Sequence, residues 1–80
     1  MELREKLVQI IAEEFDIDDT EITDDADFDR DLGADSLDIT HLAMDLEEEF
    51  KIEVSDCDIS RLTSLRTTME YIRRVTNGRR

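Results

Sequence analysis

Little in this sequence bends the chain sharply or cross-links it. Eighty residues contain no proline, no tryptophan, one cysteine, one histidine and two glycines, Gly33 and Gly78. A lone Cys57 excludes a disulfide framework. One cysteine with one histidine also falls short of a zinc site's usual ligand set. No apolar run exceeds three residues, so no segment can cross a membrane as a helix. The scarcity of glycine and proline leaves no linker, repeat or low-complexity block. The chain therefore reads as one small domain, 1–80, with a thin core. The single cysteine and the lack of an apolar leader give the expectation of a reducing, cytoplasmic setting.

Bases are scarce where acids are dense. The net charge is −13, divided as −2 over residues 1–15, −16 over 16–60 and +5 over 61–80. The middle segment sets eighteen acids against Arg30 and Lys51; the last sets six arginines against Glu70. A field this negative repels nucleic acid and anionic lipid, and favours partners with basic patches. Composition alone is compatible with a disordered acidic chain, but ordered apolar periodicity argues against it.

Three segments carry that periodicity. Leu3, Leu7, Ile10, Ile11 and Phe15 form one helical stripe; Leu65, Met69, Ile72 and Val75 form another. The last helix can be capped by Thr63 or Ser64, with Gly78 after its end and Arg73 and Arg74 in its last turn. The middle helix is expected over Ser36–Phe50, with Ile39, Leu42, Ala43, Leu46 and Phe50 facing the core. Its opposite stripe is Leu37, His41, Met44 and Glu48. Two apolar residues aligned there among acids point to a docking surface.

The connection from Asp16 to Asp35 is long for a helix–helix turn, with Ile17, Ile22, Phe28 and Leu32 spaced to pin it to the core. Lys51–Val54 alternates, and reads as an extended connector with Ile52 and Val54 inward. A short helical turn over Asp56–Leu62 follows, with Ile59 and Leu62 inward and Cys57 expected to be partly buried and inert. The fold class is thus all-α: a small bundle of three main helices plus one short helix, with a long loop between the first two.

Residues 27–38, DFDRDLGADSLD, raise two chemistries. Asp27, Asp29, Asp31 and Asp35 fit ligand positions of a calcium loop, but Leu32 stands where its glycine is needed and Asp38 where its glutamate is needed. No amphipathic helix leads into the loop, so a true EF-hand is rejected and only weak divalent-ion binding is left open. The other chemistry is Ser36. A nucleophilic serine needs a base in reach, and His41 lies about 140° around the helix from it. No complete active site is legible, and no enzymatic activity is expected. Ser36 is either a helix cap or, if Asp35 caps, a free hydroxyl at a helix start, where a phosphate is favoured. The residues alone leave these two open.

DLGADSLD followed by an acidic helix ending LEEEF, then the K-I-E-V connector and MEYI, resembles the acyl carrier protein family over nearly the whole chain. The length resembles a free-standing carrier. The resemblance implies that Ser36 receives 4′-phosphopantetheine from coenzyme A through a phosphopantetheinyl transferase, and that the arm's thiol carries acyl groups between enzymes. It implies docking to acyl-processing enzymes with basic patches through Leu37 and Met44, with Asp35, Asp38, Glu47 and Glu48 as acids and His41 among them. It further implies an acyl pocket lined by Phe28, Leu46, Ile52, Ile59, Leu62 and Met69. No metal, nucleic acid or membrane insertion is implied, and a monomer is expected.

The chain departs from the family's common pattern at His41, where glutamate is frequent, at Ser55, where proline is frequent, and at SLRTT, where a glycine-containing segment is frequent. These differences point to a carrier for an accessory lipid or polyketide-like pathway. The competing readings are an aminoacyl or D-alanyl carrier and an acidic divalent-ion-binding interaction module.

Overall fold

The computed structural model describes residues 3–77; Gly78, expected to follow the last helix, and Arg79 and Arg80 lie outside them. Helix α1 spans Leu3–Phe15, α2 Ser36–Phe50, α3 Asp56–Ile59 and α4 Leu65–Asn77. Among the described residues there is no strand. The expected three main helices and one short helix are all present, and α2 has the bounds its periodicity predicts.

The ends of α2 and the starts of α3 and α4 have chemical causes. Asp35 caps α2: its Oδ1 accepts the Asp38 N–H at 3.0 Å, and Asp38 Oδ2 accepts the Asp35 N–H at 3.2 Å. This reciprocal pair satisfies two donors that the first turn would otherwise leave unpaired. The helix stops where Lys51 turns left-handed, with φ 56°. Ser64 is the cap of α4, its Oγ accepting the Thr67 N–H at 3.3 Å while Thr67 Oγ1 accepts the Ser64 N–H at 3.0 Å. Ser55 caps α3 through the Asp58 N–H. That helix is shorter than the expected 56–62, since residues 60 and 61 form a turn. One turn of helix can bury only its inward face. Ile59 is half-buried and Leu62 buried, while Cys57 is exposed, which corrects the expectation of partial burial.

Helix α1 packs on both α2 and α4, and α3 packs on α2. Leu7 and Ile11 of α1, Leu42 and Leu46 of α2, and Leu65 and Ile72 of α4 are fully buried. The connector is extended as expected, with Ile52 and Val54 inside.

The long loop is part of the core. Ile22 and Phe28 are buried, and Ile17 and Leu32 pack partly against them. The Phe28 ring meets Phe15 edge-on at 5.3 Å. Burying one such ring contributes about 1.5–3 kcal/mol, enough to anchor a segment with little secondary structure. The loop contains one single-turn 3-10 helix, Asp19–Glu21, which the sequence reading did not anticipate. Two arginines from separate helices then grip its acids. Arg4 Nε donates to Asp24 at 2.9 Å, and Arg66 binds Asp25 through two nitrogens at 2.7 and 3.2 Å. The Arg66 guanidinium holds the Asp25 carboxyl below its ordinary range, by hydrogen bond first and charge second. Beside them, the Phe28 N–H donates to the Thr63 carbonyl at 2.8 Å, tying the loop to the start of α4.

Candidate functional site

The chain has four serines, and three of their hydroxyls are engaged. Ser55 and Ser64 cap helices, and Ser60 Oγ donates to the Cys57 carbonyl at 2.8 Å. Ser36 differs. Because Asp35 has taken the capping role, Ser36 becomes the first residue of α2 and is exposed. Among the described residues its hydroxyl has no hydrogen-bond partner; only its carbonyl is used, accepting from Thr40 Oγ1 at 2.9 Å. A free hydroxyl thus stands at a helix start, where unpaired N–H groups and the helix dipole favour an anion.

Ser36 sits at the rim of a cleft of about 350 Å³ between α2, α3 and the loop. Phe28, Ile39, Ile59 and Leu62 supply its apolar walls, and Thr40, Ser60 and Thr63 supply hydroxyls. Of the expected pocket residues, Phe28, Ile59 and Leu62 line it. Leu46 and Ile52 are buried elsewhere in the core and Met69 packs partly against that core, none of them on the cleft. Sequence reasoning had assigned Ile39 to the core alone and passed over Thr40, although Thr40 is one helical turn from Ser36 and so shares its side. Thr63 was expected only as a possible cap of the last helix; the Phe28–Thr63 backbone bond brings it there. A larger hollow, about 690 Å³, lies between α1 and the 3-10 turn. It is rimmed by the Arg4–Asp24 ion pair and contains no serine, so size does not select the site.

The aspartates of 27–38 mostly bind backbone. Asp27 Oδ1 accepts the N–H groups of Asp29 and Arg30, and Asp31 Oδ2 accepts the Asp27 N–H at 2.7 Å. Among the described residues no three acidic, histidine or cysteine side chains converge as a metal site would require.

The outward stripe of α2 is where its spacing places it. Leu37 is 65% exposed and Met44 57%, and they are the large apolar residues most open to solvent. Glu48 and His41 are exposed beside them. Glu47 is not free: half-buried, it accepts the Val54 N–H at 2.8 Å and holds the connector against α2. Asp35 and Asp38 occupy each other as the cap. Tyr71 ties α3 to α4, its hydroxyl donating to Asp58 at 2.9 Å. Burial, then the Asp58 carboxylate, pushes the Tyr71 phenol up from its ordinary value.

A free serine hydroxyl at a helix start is chemically able to take a phosphate ester, since the helix start favours an anion. Residues 5–72 match the family model described as a phosphopantetheine attachment site. The cofactor of such a domain is 4′-phosphopantetheine, joined covalently to a serine. The match begins in α1 and ends in α4, covering the cleft entirely.

Proposed function

We propose, for a chain that belongs to the phosphopantetheine attachment-site family, that Ser36 is the serine carrying the 4′-phosphopantetheine arm and that the protein shuttles acyl groups between enzymes. The observation that carries this reading is the hydroxyl of Ser36, left without a partner while the other three serines are bound. When attached, the arm supplies a terminal thiol that holds the acyl group as a thioester. The chain's own residues present the arm and shelter its cargo: Asp35 fixes the start of α2, and Phe28, Ile39, Ile59 and Leu62 offer an apolar wall. That wall suits an acyl chain; Asp27, Asp29 and Asp56 also line the cleft, and a charged amine would meet them there, which is the case for an aminoacyl or D-alanyl cargo as the second reading.

Docking is assigned to the exposed stripe of α2. Leu37 and Met44 supply apolar contact, and Glu48, with the outer oxygens of Asp35 and Asp38, supplies the charge that basic patches of a phosphopantetheinyl transferase or acyl-processing enzyme would meet. Glu47 serves this face indirectly, by holding the connector. Fatty-acid, specialised lipid and polyketide synthesis all use such a carrier; His41 on the stripe favours a specialised one.

The test is intact mass after incubation with coenzyme A and a promiscuous phosphopantetheinyl transferase. The protein gains one phosphopantetheine, Ser36→Ala gains none, and Ser60→Ala, altered in the same cleft, gains one. A gain retained by Ser36→Ala would overturn the assignment.

A further inference from the structure

The cleft beside Ser36 joins an apolar wall to an acidic lining. Asp27 and Asp29 come from the long loop and Asp56 from α3, and the hydroxyls of Thr40, Ser60 and Thr63 lie among them. No lysine, arginine or histidine among the described residues lines the cleft. The three acids are held differently. Asp27 is half-buried, and its Oδ1 accepts the N–H groups of Asp29 and Arg30 at 2.9 and 3.1 Å, which ties it into the loop. Asp29 and Asp56 are exposed, and among the described residues no ion pair neutralises either. Arg30 and Arg61 follow lining residues in the chain but do not line the cleft, and Arg61 stands 3.8 Å from Asp58.

Cargo on an arm from Ser36 meets both surfaces at once. An uncharged chain leaves water for Phe28, Ile39, Ile59 and Leu62, which is favourable. A chain ending in a carboxylate loses hydration at that charge and adds it to three others of the same sign, with no base to offset the cost. A chain ending in an ammonium loses hydration too, but it meets carboxylates and hydroxyl oxygens that accept its protons in hydrogen bonds.

We propose, resting on the carrier reading of Ser36, that this cleft sorts cargo by the charge of its far end. It shelters acyl chains that end neutral or in an ammonium, and it leaves chains that end in a carboxylate in solvent. Asp29 and Asp56 set the preference, while Asp27 also shapes the loop. The sheltered class is monocarboxylic acyl and aminoacyl groups, and the excluded class is acyl groups derived from diacids.

The test loads the full chain with a promiscuous phosphopantetheinyl transferase and amide-linked coenzyme A analogues, whose cargo cannot leave by thioester hydrolysis. Butyryl, β-alanyl and succinyl share a carbonyl and two methylenes, and end in methyl, ammonium and carboxylate. Intact mass confirms each load on Ser36. Methyl NMR at about 150 mM sodium chloride then reads Ile39 and Ile59 in the cleft, with Ile11, buried in α1, as the distant control. Relative to an acetyl load, butyryl and β-alanyl should shift both cleft methyls, and succinyl should shift them less than half as far. Asp29→Asn combined with Asp56→Asn should raise the succinyl shift to that of butyryl and reduce the β-alanyl shift. Glu53→Gln combined with Glu70→Gln, two exposed acids that do not line the cleft, should change neither. Succinyl shifts as large as those of butyryl in the unaltered chain would overturn the sorting. So would an equal rise in the Glu53 and Glu70 variant, which assigns the effect to net charge. So would the absence of any cleft shift from a confirmed butyryl load, which shows that cargo stays outside. A mass showing no load on Ser36 is a separate result: it overturns the carrier reading, and the sorting with it.

Discussion

Gly33 stands two residues before the cap of α2, with φ +73° and nothing within 4 Å of the position a Cβ would take. Space is not what requires glycine there; the backbone is. An L-residue in that conformation costs about 1–2 kcal/mol, so Gly33→Ala should lower the unfolding free energy by that amount in urea titration. Ser36 modification should survive, because the cap itself is untouched. The sequence hid this use of Gly33: as a calcium-loop residue it fell one place late, and its actual task is the turn that delivers Asp35. Ser36 was half legible for a related reason. Asp35 and Ser36 are both good caps, and only the geometry of the turn decides which of them is left over.

At the scale of elements, one side chain helps to hold the joint between α2 and α3. The Val54 N–H is directed inward and met by Glu47. Replacing Glu47 with alanine leaves that donor unpaired near the core, at a cost of about 1–3 kcal/mol. The expected result for Glu47→Ala is a loss of that size in chemical denaturation, with faster amide exchange at Val54 and through α3 before the rest of the bundle. An equal loss of protection in α1 and α4 would show that the joint is not local. The helices were readable in advance because their apolar residues recur at helical spacing over three or four turns. The 3-10 turn at Asp19–Glu21 and the short extent of α3 were not. A single turn carries too few residues for a period: the 3-10 turn is held by Glu21, whose carboxylate accepts the Asp18 N–H, and α3 by its Ser55 cap and by Tyr71 on Asp58.

For the molecule as a whole, a net charge of −13 on 80 residues opposes the compact state. The ion pairs that answer it are largely exposed, as at Arg4–Asp24 and Arg66–Asp25, and such pairs contribute little each. Screening should therefore stabilise the fold. Raising sodium chloride from about 10 mM to 150 mM shortens the Debye length from about 30 Å to about 8 Å, from roughly the size of the molecule, 34 × 27 × 19 Å, to well below it. The unmodified protein's Tm should rise across that range; a fall would mean that attraction in these pairs outweighs the repulsion. The charge total and its division were the plainest features of the sequence. What composition could not supply was the match of bases to acids, because Arg66 and Asp25 are forty-one residues apart.

The division of charge has a mechanical consequence. The long loop and α2 carry most of the acid, while α4 carries exposed arginines, and α1 is the element that touches both helices. A body charged this way experiences torque in the field of a basic surface, as well as attraction. It rotates during approach so that the α2 side leads, which is the side where Ser36 begins its helix. Salt would then slow productive encounters by removing alignment as well as pull, and a partner could be reached from many starting orientations without an equally large search.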